Sequence, residues 1–312
     1  MSEERVIPDA RHPRVVCLGL SALDRIWRVQ APFSGGSEKI RADEHLTEPG
    51  GMAANAAVTV SRLGGTASFW GRAGKDDAGR AMADSFIAEG VDIACFRLFE
   101  DGASSVSGVI VDQAGERQIV NFRGSYPIDP GWLPLGSLQA DCVLADPRWP
   151  DGAEALFRRA REQGIPTVLD GDVADAEIFE RLLPLTDHAI FSEPGLAGFA
   201  GREIGAALSH ATSFGSPMVA VTRGDKGVTW LEGGRMHEIP SPSVSAIDTT
   251  AAGDVFHGAY AFAIGAGLQT RDSMGFASAV AALKCTRAGG RAAIPTFDEI
   301  RSLERNNNAY SR

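Results

Sequence analysis

Asp248-Thr249-Thr250-Ala251-Ala252-Gly253-Asp254-Val255-Phe256-His257-Gly258-Ala259 is the stretch on which both the fold and the chemistry of this 312-residue chain turn. An apolar, small-residue helix is predicted from Val255 to about Gly265. Small residues run straight into its start, so several backbone N–H groups converge with no side chain in the way. With the positive helix end they make an anion site. Asp254 is out of place there, because a carboxylate repels an anion. It makes sense where a proton is removed beside the negative charge, as phosphoryl transfer to a hydroxyl requires. The structural alternative is an acidic first-turn residue stabilised by the helix dipole, beside a packing loop.

Outward from this stretch the chain alternates. Short apolar runs at Val15–Leu20, Ser68–Trp70, Cys142–Ala145, Thr167–Leu169, His188–Phe191 and Met218–Thr222 suit buried parallel strands. Helices are predicted between them at Ala53–Leu63, Ala78–Glu89 and Gly152–Gln163, each followed by glycine. Strand alternating with helix implies an α/β class with a doubly wound, mostly parallel sheet. Two regions break the rhythm. Arg25–Leu46 and Ser105–Phe122 show alternation and turns without a helix, and Ser107–Val111 with Arg117–Phe122 reads as a hairpin. They predict a small β-sheet projecting as a lid.

Composition sets the limits. The chain is 44% hydrophobic and 22% charged, with net charge −10, which is ordinary globular composition. There is no basic stripe, so a nucleic-acid partner is not expected. No apolar run nears the roughly 20 residues of a membrane span, and residues 1–13 read as a polar tail without a secretory pattern. Four separated cysteines, with no CxxC, read as buried thiols of a cytoplasmic protein.

Other segments add candidates. Gly50-Gly51 before a helix allows close backbone approach, and Asn55 one turn in offers a donor and an acceptor to a sugar hydroxyl, or is a buried, satisfied amide. Asp24, just past the first strand, suits two sugar hydroxyls or is a solvated charge. Gly71–Gly79 favours capping by Asp76 or Asp77. Thr222-Arg223-Gly224-Asp225-Lys226-Gly227 holds a nucleotide or forms only a hairpin turn. His257 is expected to pack rather than catalyse. GxxxxGK[ST], GxGxxG after a strand, HExxH and GxSxG are all missing from the sequence.

With these residues in place, the chain resembles the ribokinase/PfkB family of carbohydrate kinases over roughly residues 14–297. Asp248–Ala259 is similar to the family's C-terminal motif, and Gly50–Asn55 with Gly74–Gly79 to its N-terminal one. The resemblance implies a ribokinase-like αβα sandwich over 14–312, with a lid from about 25–48 and 104–124. It implies an ATP-dependent sugar kinase using Mg²⁺, with Asp254 as general base and the amides of Ala251, Ala252 and Gly253 as the anion hole. Asp24, Gly50, Gly51 and Asn55 would hold the sugar. Ser192, Glu193, Thr222, Gly224, Gly227 and Ser278 would line the nucleotide site. Two departures stand out. The family's first hole glycine is Ala251, which offers its N–H provided φ stays negative. The family's Asn-x-x-Glu is Ser192-Glu193-Pro194-Gly195, leaving Glu193 as the carboxylate for the metal. Some members bind a monovalent cation such as K⁺ near the Asp248 loop and Gly289-Gly290.

Within the family, Val143–Trp149, Thr167–Asp172, Phe191–Leu196 and Ala282–Arg287 are similar to bacterial sulfofructose kinases. This implies phosphorylation of 6-deoxy-6-sulfofructose at O1, with Lys39, Arg148 and Asn121 on the sulfonate. A sulfonate has three acceptor oxygens and one charge, which two cations and an amide suit. A phosphate tail, as in fructose 6-phosphate or tagatose 6-phosphate, would be held equally. Otherwise Lys39 is a solvated lid charge and Arg148 a structural ion pair with Asp146 or Asp170. The rivals are a kinase for ribose, 2-keto-3-deoxygluconate or a nucleoside, and a non-catalytic sugar-binding regulator. A homodimer through exposed lid edges is expected.

Overall fold

The computed structural model describes residues 12–30, 39–114 and 116–302. Of the expected tail, residues 1–11 lie outside them, as do 31–38 of the expected lid and Gly115 of its hairpin turn. The chain enters with β1 (Arg14–Gly19), crosses into the lid as β2 (Ala22–Val29) and β3 (Ala42–Gly50), and returns through α1 (Met52–Arg62) and β4 (Thr66–Gly74). Next come α2 (Asp77–Ala88), β5 (Phe96–Phe99), and the hairpin β6 (Val106–Val111) with β7 (Arg117–Phe122). Then β8 (Cys142–Ala145), α3 (Pro150–Glu162), β9 (Thr167–Gly171), α4 (Ala176–Leu182), β10 (His188–Ser192), α5 (Glu193–Ala200) and α6 (Ile204–Thr212) follow. The chain closes with β11 (Met218–Thr222), β12 (Val228–Glu232), β13 (Arg235–Ile239), α7 (Ala252–Gly265) and α8 (Thr270–Cys285).

The large sheet has the order β13-β12-β11-β10-β9-β8-β1-β4-β5. Pairing is parallel from β11 to β5; at one edge β12 pairs antiparallel with both β11 and β13. Helices α1, α2, α7 and α8 cover one face and α3 to α6 the other. Coverage on both faces is why β8 and most of β11 read as unbroken apolar runs. The expected ribokinase-like α/β sandwich is what the chain forms. The antiparallel hairpin β12–β13 carries alternating polar residues and was not legible as a sheet edge.

The lid is a four-stranded sheet, β3-β2-β6-β7. Its register sets Glu48, Asp24, Ser107 and Asn121 side by side in one cross-strand row. Side chains in such a row share a face. Asp24 is therefore inside a lid strand rather than at the carboxyl end of β1, because β2 starts three residues after β1 ends. Asp76 caps α2, accepting from the Gly79 N–H at 2.8 Å, as capping chemistry predicts. Of the cysteines, Cys17 and Cys142 are buried, but Cys95 and Cys285 are partly exposed.

Helix α1 packs against α7 closely enough that glycine is required at one contact. A Cβ on Gly258 would stand 2.5 Å from the Ala56 carbonyl oxygen and 2.8 Å from the Thr59 Cβ. Gly258→Ala is expected to push the two helices apart and cost about 1–3 kcal/mol. Urea unfolding checks this, and an unchanged midpoint would show that the contact has slack.

Candidate active site

The start of α7 and the start of α1 meet through one hydrogen bond. Asn55 Nδ2 donates to Asp254 Oδ2 at 2.7 Å. The other end of the Asn55 amide accepts from Arg291 Nε at 3.1 Å. Arg291 is itself buried, donating to Ser85 at 2.9 Å and stacked over Phe86. Both ends of the Asn55 amide are thus engaged within the protein, so its place is behind the carboxylate, holding it in one orientation. Burial first, and the Asp170 charge second, push the Asp254 carboxyl up to about 8, while the Asn55 bond and His257 pull it back. A carboxylate poised near neutrality, at a helix start, is suited to accept a proton.

The helix start presents open donors. Ala252 N–H is turned to the Thr249 carbonyl at 3.1 Å. The N–H groups of Ala251, Gly253 and Asp254 donate to no such partner among the described residues. These are the orphan donors of a helix N-terminus, and they lie beside the Asp254 carboxylate in sequence and space. The expectation that Ala251 keeps a negative φ is not met. It adopts φ 62, ψ 11, and is the only non-glycine residue at positive φ among the described residues. A left-handed alanine costs on the order of 1 kcal/mol. The loop accepts that cost to aim the first peptides of α7.

Three further groups were not singled out as functional by residue type alone. Asp146, fully buried at the end of β8, accepts the N–H groups of Leu20, Ala53 and Arg148 at 2.7, 3.1 and 2.9 Å. It ties β1, α1 and the β8 loop together. Asp170 in β9 lies 3.4 Å from His257 Nδ1. His257 Nδ1 and Nε2 also face the carbonyls of Gly253 at 2.7 Å and Ile190 at 3.0 Å. A neutral ring donates from one nitrogen only, so it meets one of these carbonyls as a donor at a time, and burial holds the ring below its ordinary pKa and the Asp170 carboxyl well above its own. The two carbonyls pull the ring the other way. His257 does pack, as its helix position suggested, but it packs against the peptide that carries the Asp254 N–H. Arg291 had no local signal, since the turn in which it sits meets α1 only in the tertiary fold.

Beside the open amides lies a cavity of about 410 Å³. Thr222, Gly224, Gly227, Gly253, Phe256 and Ser278 are among its lining residues. Thr222–Gly227 is the β11–β12 hairpin turn, and Thr222, Gly224 and Gly227 line the cavity wall. The Ser278 hydroxyl is buried without a hydrogen-bond partner among the described residues. Ser192 and Glu193 are not part of this wall. Ser192 caps α5, accepting from Gly195 N–H at 3.0 Å and donating to Asp172 at 3.2 Å. A Cβ on Gly195 would overlap the Gly171 carbonyl, which explains why no glutamate stands there. Glu193 is exposed in the first turn of α5.

The lid row meets the chain just before α1. A Cβ on Gly50 would lie 3.1 Å from Asp24 Oδ2, and one on Gly51, at φ 104, would overlap the Leu20 carbonyl. Close approach therefore demands both glycines. Burial raises the Asp24 carboxyl, and the Ser107 hydroxyl lowers it. Asn121 donates to Ser107 at 3.2 Å, on the same row as Asp24. Arg148 pairs with Asp172 at 2.9 Å and donates to the Val173 carbonyl at 2.7 Å, rather than pairing with the side chain of Asp146 or Asp170. Lys39 is exposed before β3.

A raised carboxyl beside open helix-start amides, next to a cavity of about 410 Å³, stands in a ribokinase-like α/β fold with a four-stranded lid sheet. The chain belongs to the pfkB family of carbohydrate kinases, whose family model matches residues 12–297. It is therefore an ATP-dependent sugar kinase. It is 33% identical to a fructokinase of Klebsiella pneumoniae, over 82% of this chain and 92% of that protein. It is 29% identical to a ribokinase of Haemophilus influenzae, over 86% and 90%. The structure of an Agrobacterium tumefaciens protein provisionally named a ribokinase is 36% identical, with a TM-score of 0.84 over 95% of this chain and 98% of that one. No helix of the described residues is long and apolar enough to cross a membrane.

Because the folded pKa of Asp254 is raised, the native state binds more protons than the unfolded chain between its ordinary carboxylate value and about 8. Stability contributed by this group is present below that window and is lost as pH rises through it. Asp254→Asn is expected to melt close to wild type near the acid end and above it at the alkaline end. Calorimetry from about pH 5 to 9 checks this. A variant that loses stability as pH rises would show that the carboxyl is not held protonated.

Proposed function

We propose that this kinase phosphorylates a primary hydroxyl of a ketose carrying an anionic tail, with 6-deoxy-6-sulfofructose, taken at O1, as the substrate whose chemistry its rim suits. The observation that carries the reaction is Asp254 beside the open amides of α7. Asp254 takes the proton of the hydroxyl. The amides of Gly253 and Asp254 receive the charge of the transferring phosphoryl group, with Ala251, at positive φ, and Ala252 shaping their turn. Asn55 aims the base. Asp24, Gly50 and Gly51 meet the sugar, and the lid excludes water, so that the nucleotide is not hydrolysed. Thr222, Gly224 and Gly227 wall the nucleotide cavity, and the Ser278 hydroxyl reads the base.

Mg²⁺ with the nucleotide would neutralise phosphate charge. It binds through one or two carboxylates and water, and Glu193, exposed in the first turn of α5, is the carboxylate that would hold it. The fructokinase relative supports a ketose. Lys39, Arg148 and Asn121 supply the two cations and the amide for the tail. The alternative is a neutral sugar, as in the ribokinase relatives, and one observation favours it: Arg148 is already neutralised by Asp172. All six residues of edge strand β7 are exposed, Ile119, Val120 and Phe122 among them, which suits pairing of two lids in a homodimer.

ADP release over a panel of sulfonated, phosphorylated and neutral sugars tests the reading. Asp254→Asn is expected to lose about 10²–10⁴-fold in kcat while still binding sugar; wild-type turnover in that variant would remove the base. Lys39→Met and Arg148→Met are expected to raise KM for the anionic ketose about 10-fold each, by loss of a charged hydrogen bond. Unchanged kinetics would shift the reading to a neutral sugar.

A further inference from the structure

Helix α8 ends on a lysine shut off from water. Lys284 is fully buried, and its Nζ donates to the main-chain carbonyl of Asp248 at 2.9 Å. An ammonium in such a place is costly unless opposite charge and polar atoms surround it. Asp248 supplies both, and its side chain is fully engaged. One carboxylate oxygen accepts from Thr250 N–H at 2.9 Å, the other from Gly289 N–H at 3.0 Å. The carbonyl of Cys285, next to Lys284, accepts from Ile247 and Asp248 N–H groups at 2.7 and 3.1 Å. Lid residue Arg117 reaches Thr250 at 3.1 Å and stands 3.9 Å from the Asp248 carboxylate. Residues 247–250 therefore hang from the end of α8, and the next residue is Ala251, where the open amides begin.

The family resemblance implies a monovalent cation beside Asp248 and the Gly289-Gly290 loop. The donor set does not fit one. An ion there would compete for the carbonyl and carboxylate oxygens of Asp248 with an ammonium and two amides already bound to them. It would also sit against two positive charges, Lys284 and Arg117.

We propose that the Lys284 ammonium replaces that ion, as a covalent part of the chain that holds the Asp248–Thr250 loop, and so the amides of α7, in place without K⁺. Potassium and ammonium ions are both monovalent and are held by carbonyl oxygens, and a side chain cannot dissociate. Lys284 is a positioning residue: it touches no reacting atom. The kinetic consequence rests on the kinase reading, but the loop geometry does not.

The full-length protein tests it in two ways. Hydrogen exchange of the 247–254 amides is measured without sugar or nucleotide, in KCl and in tetramethylammonium chloride at equal ionic strength. Wild-type protection is expected to be the same in both salts; Lys284→Met is expected to lose protection in tetramethylammonium and regain it in K⁺ or NH₄⁺. With the best sugar from the panel, wild-type kcat is expected to be indifferent to K⁺. Lys284→Met is expected to fall about 10-fold or more, as a misplaced loop would cause, and to recover in part with K⁺. Lys284→Arg, which keeps the charge, serves as the variant if Met does not fold, and the wild-type salt comparison stands by itself. Wild-type activity or protection that rises several-fold with K⁺ overturns the proposal, as does a folded Lys284→Met with wild-type protection and turnover in tetramethylammonium. If no sugar is turned over, the kinase reading fails and the exchange measurements still decide the role of Lys284.

Discussion

The hydrogen bond from Asn55 to Asp254 is the constraint around which the site is built. For the proton transfer we propose, the carboxylate has to be dry enough to want a proton and fixed enough to reach it. Burial and the charge of Asp170 meet the first condition, and the Asn55 amide, held from behind by Arg291, meets the second. The two helices that carry the pair, α1 and α7, can approach this closely only because Gly258 has no side chain where Ala56 and Thr59 pass. Local chemistry and global packing are thus the same fact seen at two scales.

Other buried groups divide the remaining work. Asp146 accepts three main-chain N–H groups and so fixes the ends of three segments around the sugar face. His257 and Asp170 lie beneath the start of α7, where the ring meets the carbonyl of Gly253. That carbonyl belongs to the same peptide as the Asp254 N–H, so whatever holds one holds the other. The lid contributes a row of polar side chains facing inward and, through Arg117, a contact with the loop before α7. The site is assembled from residues on α1, β2, β6, β7, α7 and the turn before the C-terminal segment, and the sheet serves to bring their ends to one edge.

Much of this was readable in order along the chain. The apolar runs at Cys142–Ala145 and Met218–Thr222 coincide with β8 and β11, because strands covered on both faces have no polar phase to confuse them. The lid hairpin was visible from alternation around a polar turn. The small residues before Val255 announced open amides, since only such residues leave them bare. Less was readable where two elements meet. Asn55 could be assigned either to a sugar or to the protein, and the choice depended on Arg291, more than two hundred residues away. Arg148 was read as a tail-binding cation or, failing that, as an ion pair with Asp146 or Asp170; the carboxylate within its reach is Asp172, two residues past Asp170. Ala251 was assumed to keep the common backbone conformation, which the loop does not allow.

Residue order alone was enough for the class of fold and the family, because periodicity, small-residue runs and motif spacing are local properties of a chain. Tertiary structure decided which polar side chains face each other: Asn55 with Asp254, His257 with the Gly253 peptide, Lys284 with Asp248. Those pairings arise where separate elements converge on one sheet edge, and nothing in the spacing of residues along the chain encodes the distance between them.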